Sequence, residues 1–196
     1  MRRTIVGSIV AVVAMTLFFG LLYPVVMTGF ASVAFPSQAQ GSLIKRNGVT
    51  VGSTLAAQGF TSPKYFHERP SATSPAYNAA GTTFSNLGPT NPALAKLVSQ
   101  NAQAVLKLEA PYNPGLTIHQ IPVDAVVPSA SGIDPEISDA YAQLQSKRIA
   151  AVRHLPLSTV RSLISKNTVG RWIGIFGEPG VNVLDLNLAL DKETGQ

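Results

Sequence analysis

From Thr4 to Ile44 the chain carries no Asp, Glu, Lys or Arg, and within that gap Ile5–Leu22 is almost wholly apolar. The apolar character continues past Tyr23-Pro24 through VVMTGFASVAF. At 1.5 Å rise per residue, about 20 apolar residues cross the roughly 30 Å hydrocarbon core of a bilayer. The run is long enough, with residues to spare. A buried core helix fits poorly, because such a helix rarely runs this far without a polar face. A cleaved signal peptide is a second reading, since Ser32/Ala34 and Ser37/Ala39 have the spacing of a cleavage site. The run exceeds the roughly 7–15 apolar residues of an ordinary signal, however. The expectation is a retained single-span anchor. Pro24 is expected to kink the helix rather than end it, with a neighbouring helix satisfying the freed carbonyl. Arg2 and Arg3 hold the N-terminus in the cytoplasm by the positive-inside rule, modestly opposed by Lys45 and Arg46, which lie well beyond the run.

This gap explains an overall charged fraction of 13%, against about 25% in ordinary soluble domains. The 196 residues suffice for one domain with an appendage. The expected division is a cytoplasmic stub and transmembrane helix at 1–34, then a linker and extracytoplasmic domain at 35–196. The net charge of +5 falls to +3 outside the membrane once Arg2 and Arg3 are set aside. The basic residues are scattered singly, which argues against nucleic acid. Cysteine is absent, which excludes disulfides, Cys-ligated metals and a Cys nucleophile.

The outer part reads as mixed α and β. Phe35–Gly48 is a polar linker, and Val49 and Val51 alternate as a short strand does. Thr61–Thr90 is rich in Pro, Gly, Ser, Asn and Thr. Tyr65, Phe66, Tyr77 and Phe84 mark it as a functional loop rather than a disordered one. Asn91-Pro92 opens a helix to Glu109, with Leu94, Leu97, Val98, Val105 and Leu108 on one face. Ile121–Gly132 reads as strand and turn, and Asp134-Pro135 as a helix start. Asp139–Leu155 reads as a helix broken by Pro156, and Ser158 as the cap of a short helix ending near Asn167. The alternation of Leu184, Leu186, Leu188 and Leu190 predicts a strand.

Candidate chemistry is sparse. His67, His119 and His154 lie far apart, without zinc-ligand spacing, and no Gly-rich phosphate loop of the Walker type occurs. Asp191–Gly195 (DKETG) superficially resembles an aspartyl-phosphate loop but lies at the C-terminus with no surrounding domain. Ser42 and Lys45 form an SxxK, which makes a membrane-anchored Ser–Lys hydrolase the alternative function. A secreted binding protein released near Ala34 or Ala39 is a third reading. Asp124, Asp134 and Glu136 are a candidate carboxylate group for a cation, although caps explain Asp134 and Glu136 equally.

The strings LYPVVMTGFA, FPSQAQGSLI, YFHERPSA, SNLGPTNP, SGIDPEIS and GRWIGIFGEPGVNVLDLNLALD, in this order behind one N-terminal span, resemble the C subunit of Kdp-type potassium-transporting ATPases. The resemblance runs from about Leu21 to Asp191. It implies a non-catalytic accessory subunit of a bacterial inner-membrane pump, with an α+β outer domain. The implied partners are a channel-like K⁺-translocating subunit, a P-type ATPase subunit, a small single-span subunit and the lipid bilayer. The resemblance implies no cofactor of the chain's own, K⁺ and ATP/Mg²⁺ being handled by the complex. The family is described as a catalytic chaperone that raises the ATPase subunit's affinity for ATP, which conflicts with an extracytoplasmic domain. Tyr65, Phe66, His67 and Arg69, with the loop Asn86, Gly88, Pro89 and Asn91, are the candidate partner-interface residues. The chain departs from the family pattern at Glu68, where glycine is usual, at Glu136, where histidine is, and at Gly180, where a basic residue is.

Overall fold

A computed structural model describes residues 1–195, and the chain divides into two compact units, Met1–Val51 and Gly52–Gln196. The first begins with a continuous helix from Arg2 to Ala34, long and apolar enough to cross a membrane. Its α-helical parts α1 (Arg2–Leu17) and α2 (Tyr23–Ala34) are joined by a π-helical turn over Phe18–Leu22, and none of its residues is buried. The π turn lies immediately before Pro24, so the helix absorbs its proline by widening one turn. Ser32 Oγ donates to the Thr28 carbonyl at 2.7 Å.

Beyond a single helical turn, α3 (Pro36–Ala39), the expected linker is in part a β-hairpin. Strands β1 (Leu43–Arg46) and β2 (Val49–Ser53) pair across Asn47-Gly48, whose φ angles are 51° and 80°. This is the Asn-Gly signature of a tight hairpin, in which both central residues need the left-handed conformation.

The second unit is α+β, as the resemblance implies. Helix α4 (Pro92–Glu109) starts where the sequence places it, with the Asn91 side chain accepting from the Ala93 N–H at 2.9 Å. Ile121–Gly132 is not a strand: it follows a 3₁₀ turn at Ile118–Gln120 and itself holds a second at Val123–Ala125. Nor does Asp134-Pro135 start a helix. Strand β3 (Glu136–Ile137) follows it, and α5 (Asp139–Arg153) is capped by Ser138, whose Oγ accepts from the Tyr141 N–H. His154 closes α5 in the left-handed conformation, and α6 (Leu157–Lys166) begins after Pro156 rather than after Ser158.

The tail is the largest correction. Only Gly180–Asn182 is extended, as β5, and Val183–Glu193 is a helix, α7, capped by Asn182. The buried positions are Val183, Leu184, Leu186, Asn187, Leu190 and Asp191, whose recurrence at three- and four-residue steps (183, 186, 187, 190, 191) is that of a helix. The inward face carries Asn187 and Asp191, so the helical period is masked and alternating leucines imitate a strand.

Central strand β5 pairs antiparallel with β3 (Glu136↔Asn182, Ile137↔Val181) and with β4 (Thr168–Val169; Thr168↔Val181, Val169↔Gly180). Helices α5, α6 and α7 pack together beside this small sheet. The core joins Phe66, Ile137, Tyr141, Ile149, Val160, Ile164, Val181, Val183, Leu186 and Leu190. Each such side chain contributes roughly 1.5–3 kcal/mol when fully buried. Gly132 sits at φ +73°, where a Cβ would stand 2.7 Å from Thr73 Cγ2 and 2.8 Å from the Thr83 carbonyl, so both conformation and space require glycine.

Candidate functional site

The segment 62–69 has no regular secondary structure, yet its backbone is held by side chains from distant helices. The Phe66 N–H donates to Asn187 Oδ1 at 2.9 Å, and its carbonyl accepts from Asn187 Nδ2 at 3.0 Å. Gln145 treats His67 in the same way, at 2.7 and 3.1 Å. Two side-chain amides thus stand in for the neighbouring strand that the segment lacks. Beneath them Arg148, fully buried, donates through Nε to Glu109 Oε1 at 2.7 Å and through Nη2 to Gln145 Oε1 at 2.8 Å. Its Nη1 reaches the carbonyls of Pro63 and Tyr65. Burial pushes the Glu109 carboxyl above its ordinary range, and the guanidinium draws it part of the way back.

The candidate interface residues therefore divide into two groups. Phe66 has no exposed surface and is a core residue of this chain. Tyr65 is half-buried, its hydroxyl donating to Asp191 Oδ2 at 3.3 Å, with the Arg153 guanidinium 4.8 Å from its ring centroid. His67 places Nε2 at 3.0 Å from the Ser62 carbonyl. Burial lowers its pKa, the Ser62 contact opposes that, and Arg148 adds to the lowering. Arg69 pairs with Asp134 at 2.9 Å. Asn86, Gly88, Pro89 and Asn91 are all exposed, with Asn86 at φ 53° and Asn91 fixed as the cap of α4.

Asp124, Asp134 and Glu136 do line one open cleft, together with Arg69, Glu178 and Gly180. Each of the two aspartates is already engaged. Asp124 accepts from the N–H and Oγ of Ser138, at 2.7 and 2.9 Å. Asp134 takes Arg69 and the Glu136 N–H. Among the described residues no group of three or more such side chains is placed to hold a metal ion. Beside this cleft Glu68 is 4% exposed, and neither carboxyl oxygen has a hydrogen-bond partner of normal geometry. Burial pushes its pKa up to about 9; the Gln58 backbone opposes this and the Asp134 carboxylate reinforces it.

Ser42 and Lys45 do not share the helical face that an SxxK dyad uses. Ser42 lies in left-handed backbone (φ 49°) ahead of β1, and Lys45 is exposed on that strand. Residues three apart face each other on a helix and not along an extended chain.

The sequence reading missed an exposed apolar hairpin in the second unit. Trp172 and Phe176 pair as a bridge, with backbone hydrogen bonds of 2.8 and 3.0 Å, and their rings lie 6.0 Å apart. Trp172, Ile173, Ile175 and Phe176 are 70%, 68%, 71% and 61% exposed. The base of the hairpin is clasped by Arg171 and Glu178, whose two carboxylate oxygens lie 2.9 and 3.0 Å from Nη2. Ile173 sits at φ 53°, a conformation that costs a β-branched residue roughly 1–2 kcal/mol. The signal was legible: four large apolar residues among three glycines fit neither the helical nor the alternating period.

A family model described as K⁺-transporting ATPase, C chain (KdpC) matches residues 5–192. The chain belongs to the KdpC family. It is 47% identical to a Bradyrhizobium diazoefficiens protein named potassium-transporting ATPase KdpC subunit, across 98% of each chain. Proteins of the same name from Ralstonia nicotianae and Acidobacterium capsulatum are 50% and 47% identical, over 94% and 98% of this chain and 88% and 97% of theirs. The KdpC match spans the apolar helix, the Arg148-centred core and the hairpin alike. Glu136 and Gly180, two positions where the sequence is expected to depart from the family pattern, are neighbours in space: a Cβ on Gly180 would stand 2.5 Å from Glu136 Oε2. The Glu136 carboxylate occupies the room that a side chain at 180 would need.

Proposed function

We propose that this KdpC-family chain is a non-catalytic, membrane-anchored subunit that assembles with and stabilises the channel-like and P-type ATPase subunits of a K⁺ uptake pump, beside a small single-span subunit. Arg2–Ala34 spans the bacterial inner membrane with its N-terminus in the cytoplasm, and the second unit works on the extracytoplasmic side. The observation that carries the reading is the hairpin Trp172–Phe176. Four large apolar side chains at 61–71% exposure, presented on a clasped and strained loop, have the form of an interface anchor rather than a solvated turn. The exposed loop Asn86–Asn91 adds a polar rim contact.

In this orientation the second unit meets no cytoplasmic ATP. It acts on the pump through contacts and holds no nucleotide or metal of its own, so calorimetry of the purified chain with millimolar ATP shows no binding heat. The deciding experiment is recovery of partner subunits on a tagged chain carrying Trp172→Ala and Phe176→Ala. Recovery falls roughly tenfold or more while the thermal unfolding of the chain stays unchanged. Wild-type recovery from the double variant overturns the assignment of the hairpin.

A further inference from the structure

The π turn in the membrane helix leaves backbone acceptors with no donor. The Tyr23 N–H is given to the Phe18 carbonyl, five residues back. Pro24 has no N–H. The Phe19 carbonyl is therefore deprived of both regular donors, at i+4 and at i+5. The Gly20 carbonyl loses its i+4 donor as well and has only the Val25 N–H, at i+5, within regular reach. In water these groups would be hydrated, but they sit near the middle of a helix running from Arg2 to Ala34. There, hydrocarbon supplies no donor, and each unpaired group costs several kcal/mol.

A second observation falls on the same spot. Gly20 leaves the helix surface open, and the one atom near the place of its absent Cβ is the Thr16 methyl carbon, at 3.9 Å. The chain thus offers a notch beside unpaired carbonyls. Phe18 and Phe19, in edge contact at 4.9 Å, and Tyr23, 6.5 Å from Phe19, lie alongside. π turns of this kind gather at functional positions.

We propose that the notch at Phe19–Gly20 receives a hydrogen-bond-donating side chain, a hydroxyl, amide or other N–H, from a transmembrane helix of another subunit. The inference rests on reading Arg2–Ala34 as the span of a multisubunit pump. A second copy of this chain is a poor occupant, because a symmetric contact here sets acceptor against acceptor. A donor from a different helix satisfies the carbonyl, and the missing Cβ lets it approach closely.

The test uses the full chain within its complex. Tagged Gly20→Leu, which fills the notch without touching the hydrogen-bonding groups, is purified from membranes in mild detergent. Recovery of partner subunits falls roughly three- to thirtyfold. Gly20→Ala, a smaller change, gives a smaller loss in the same direction should the leucine variant fail to accumulate. The chain has no cysteine, so Thr16→Cys carries a single photo-crosslinker next to the notch. It traps a partner helix holding a donor within one turn of the trapped residue. Alanine at that donor lowers recovery as Gly20→Leu does, and the double variant is no worse than either. Wild-type recovery from Gly20→Leu, or trapping of lipid, of a second copy or of a helix without a donor, overturns the proposal alone. A wild-type chain recovered without any partner overturns the subunit reading as well.

Discussion

Arg148 and Glu68 are two buried ionisable groups with opposite surroundings. Arg148 is fully satisfied, with a carboxylate, an amide and two carbonyls as partners. Removing one member of such a pair leaves the other buried and uncompensated. Arg148→Met is expected to lower stability by about 3–5 kcal/mol in denaturant unfolding, and pairing it with Glu109→Leu should restore most of that loss. Glu68 has no such compensation, and its pKa rises to about 9 from an ordinary value near 4.5. The folded state therefore holds a proton that the unfolded chain has released across that window. Stability is then lost as pH rises from about 4.5 towards 9, at up to about 1.4 kcal/mol per pH unit. Glu68→Gln, neutral at every pH, should flatten this slope and unfold at a higher denaturant midpoint than wild type at pH 8. An unchanged slope would show that Glu68 ionises freely. Neither residue's role was legible from the sequence. Arg148 stands in a run of helical composition, and its partners Pro63, Tyr65 and Glu109 come from segments far away along the chain.

At the scale of elements, legibility followed local chemistry. Helix α4 was readable because its cap, its first-turn proline and its apolar face all lie within the helix itself. The long apolar helix Arg2–Ala34 was readable from composition alone. Helix α7 was not, because its inward face spends Asn187 on the backbone of Phe66 and Asp191 on Arg153, 2.7 Å away. Helix α5 shows the same effect, with Gln145, Ser146 and Arg148 all buried. Its imperfect apolar period reflects polar residues turned inward to serve a loop. The hairpin β1–β2 was legible and overlooked, for Asn47-Gly48 is the turn itself. Asn182 ends β5, caps α7 by accepting from the Asp185 N–H, and donates to the Thr54 carbonyl at 2.8 Å. Asn182→Ala should therefore cost about 1–2 kcal/mol, read as a lower melting temperature. A loss within error would make the cap dispensable.

At the scale of the whole molecule, two apolar surfaces stand out among the described residues, a helix with no buried residue and a clasped hairpin. What the sequence could not convey is which of its irregular stretches is internal. YFHER and GRWIGIFG look alike as irregular segments, yet one is threaded through the core and the other stands in solvent. The consequence is a difference in susceptibility to cleavage. A protease needs several residues of backbone pulled free into its active-site cleft. Around Lys64 those residues are tied down by Arg148, Arg153, Gln145 and Asn187, while Arg171 is followed by eight exposed residues. Brief trypsin treatment of the native chain should cut after Arg171 and spare Lys64, and mass spectrometry of the fragments would read this directly. A chain that looks most fragile where it is richest in turn residues is, at Lys64, among its most guarded.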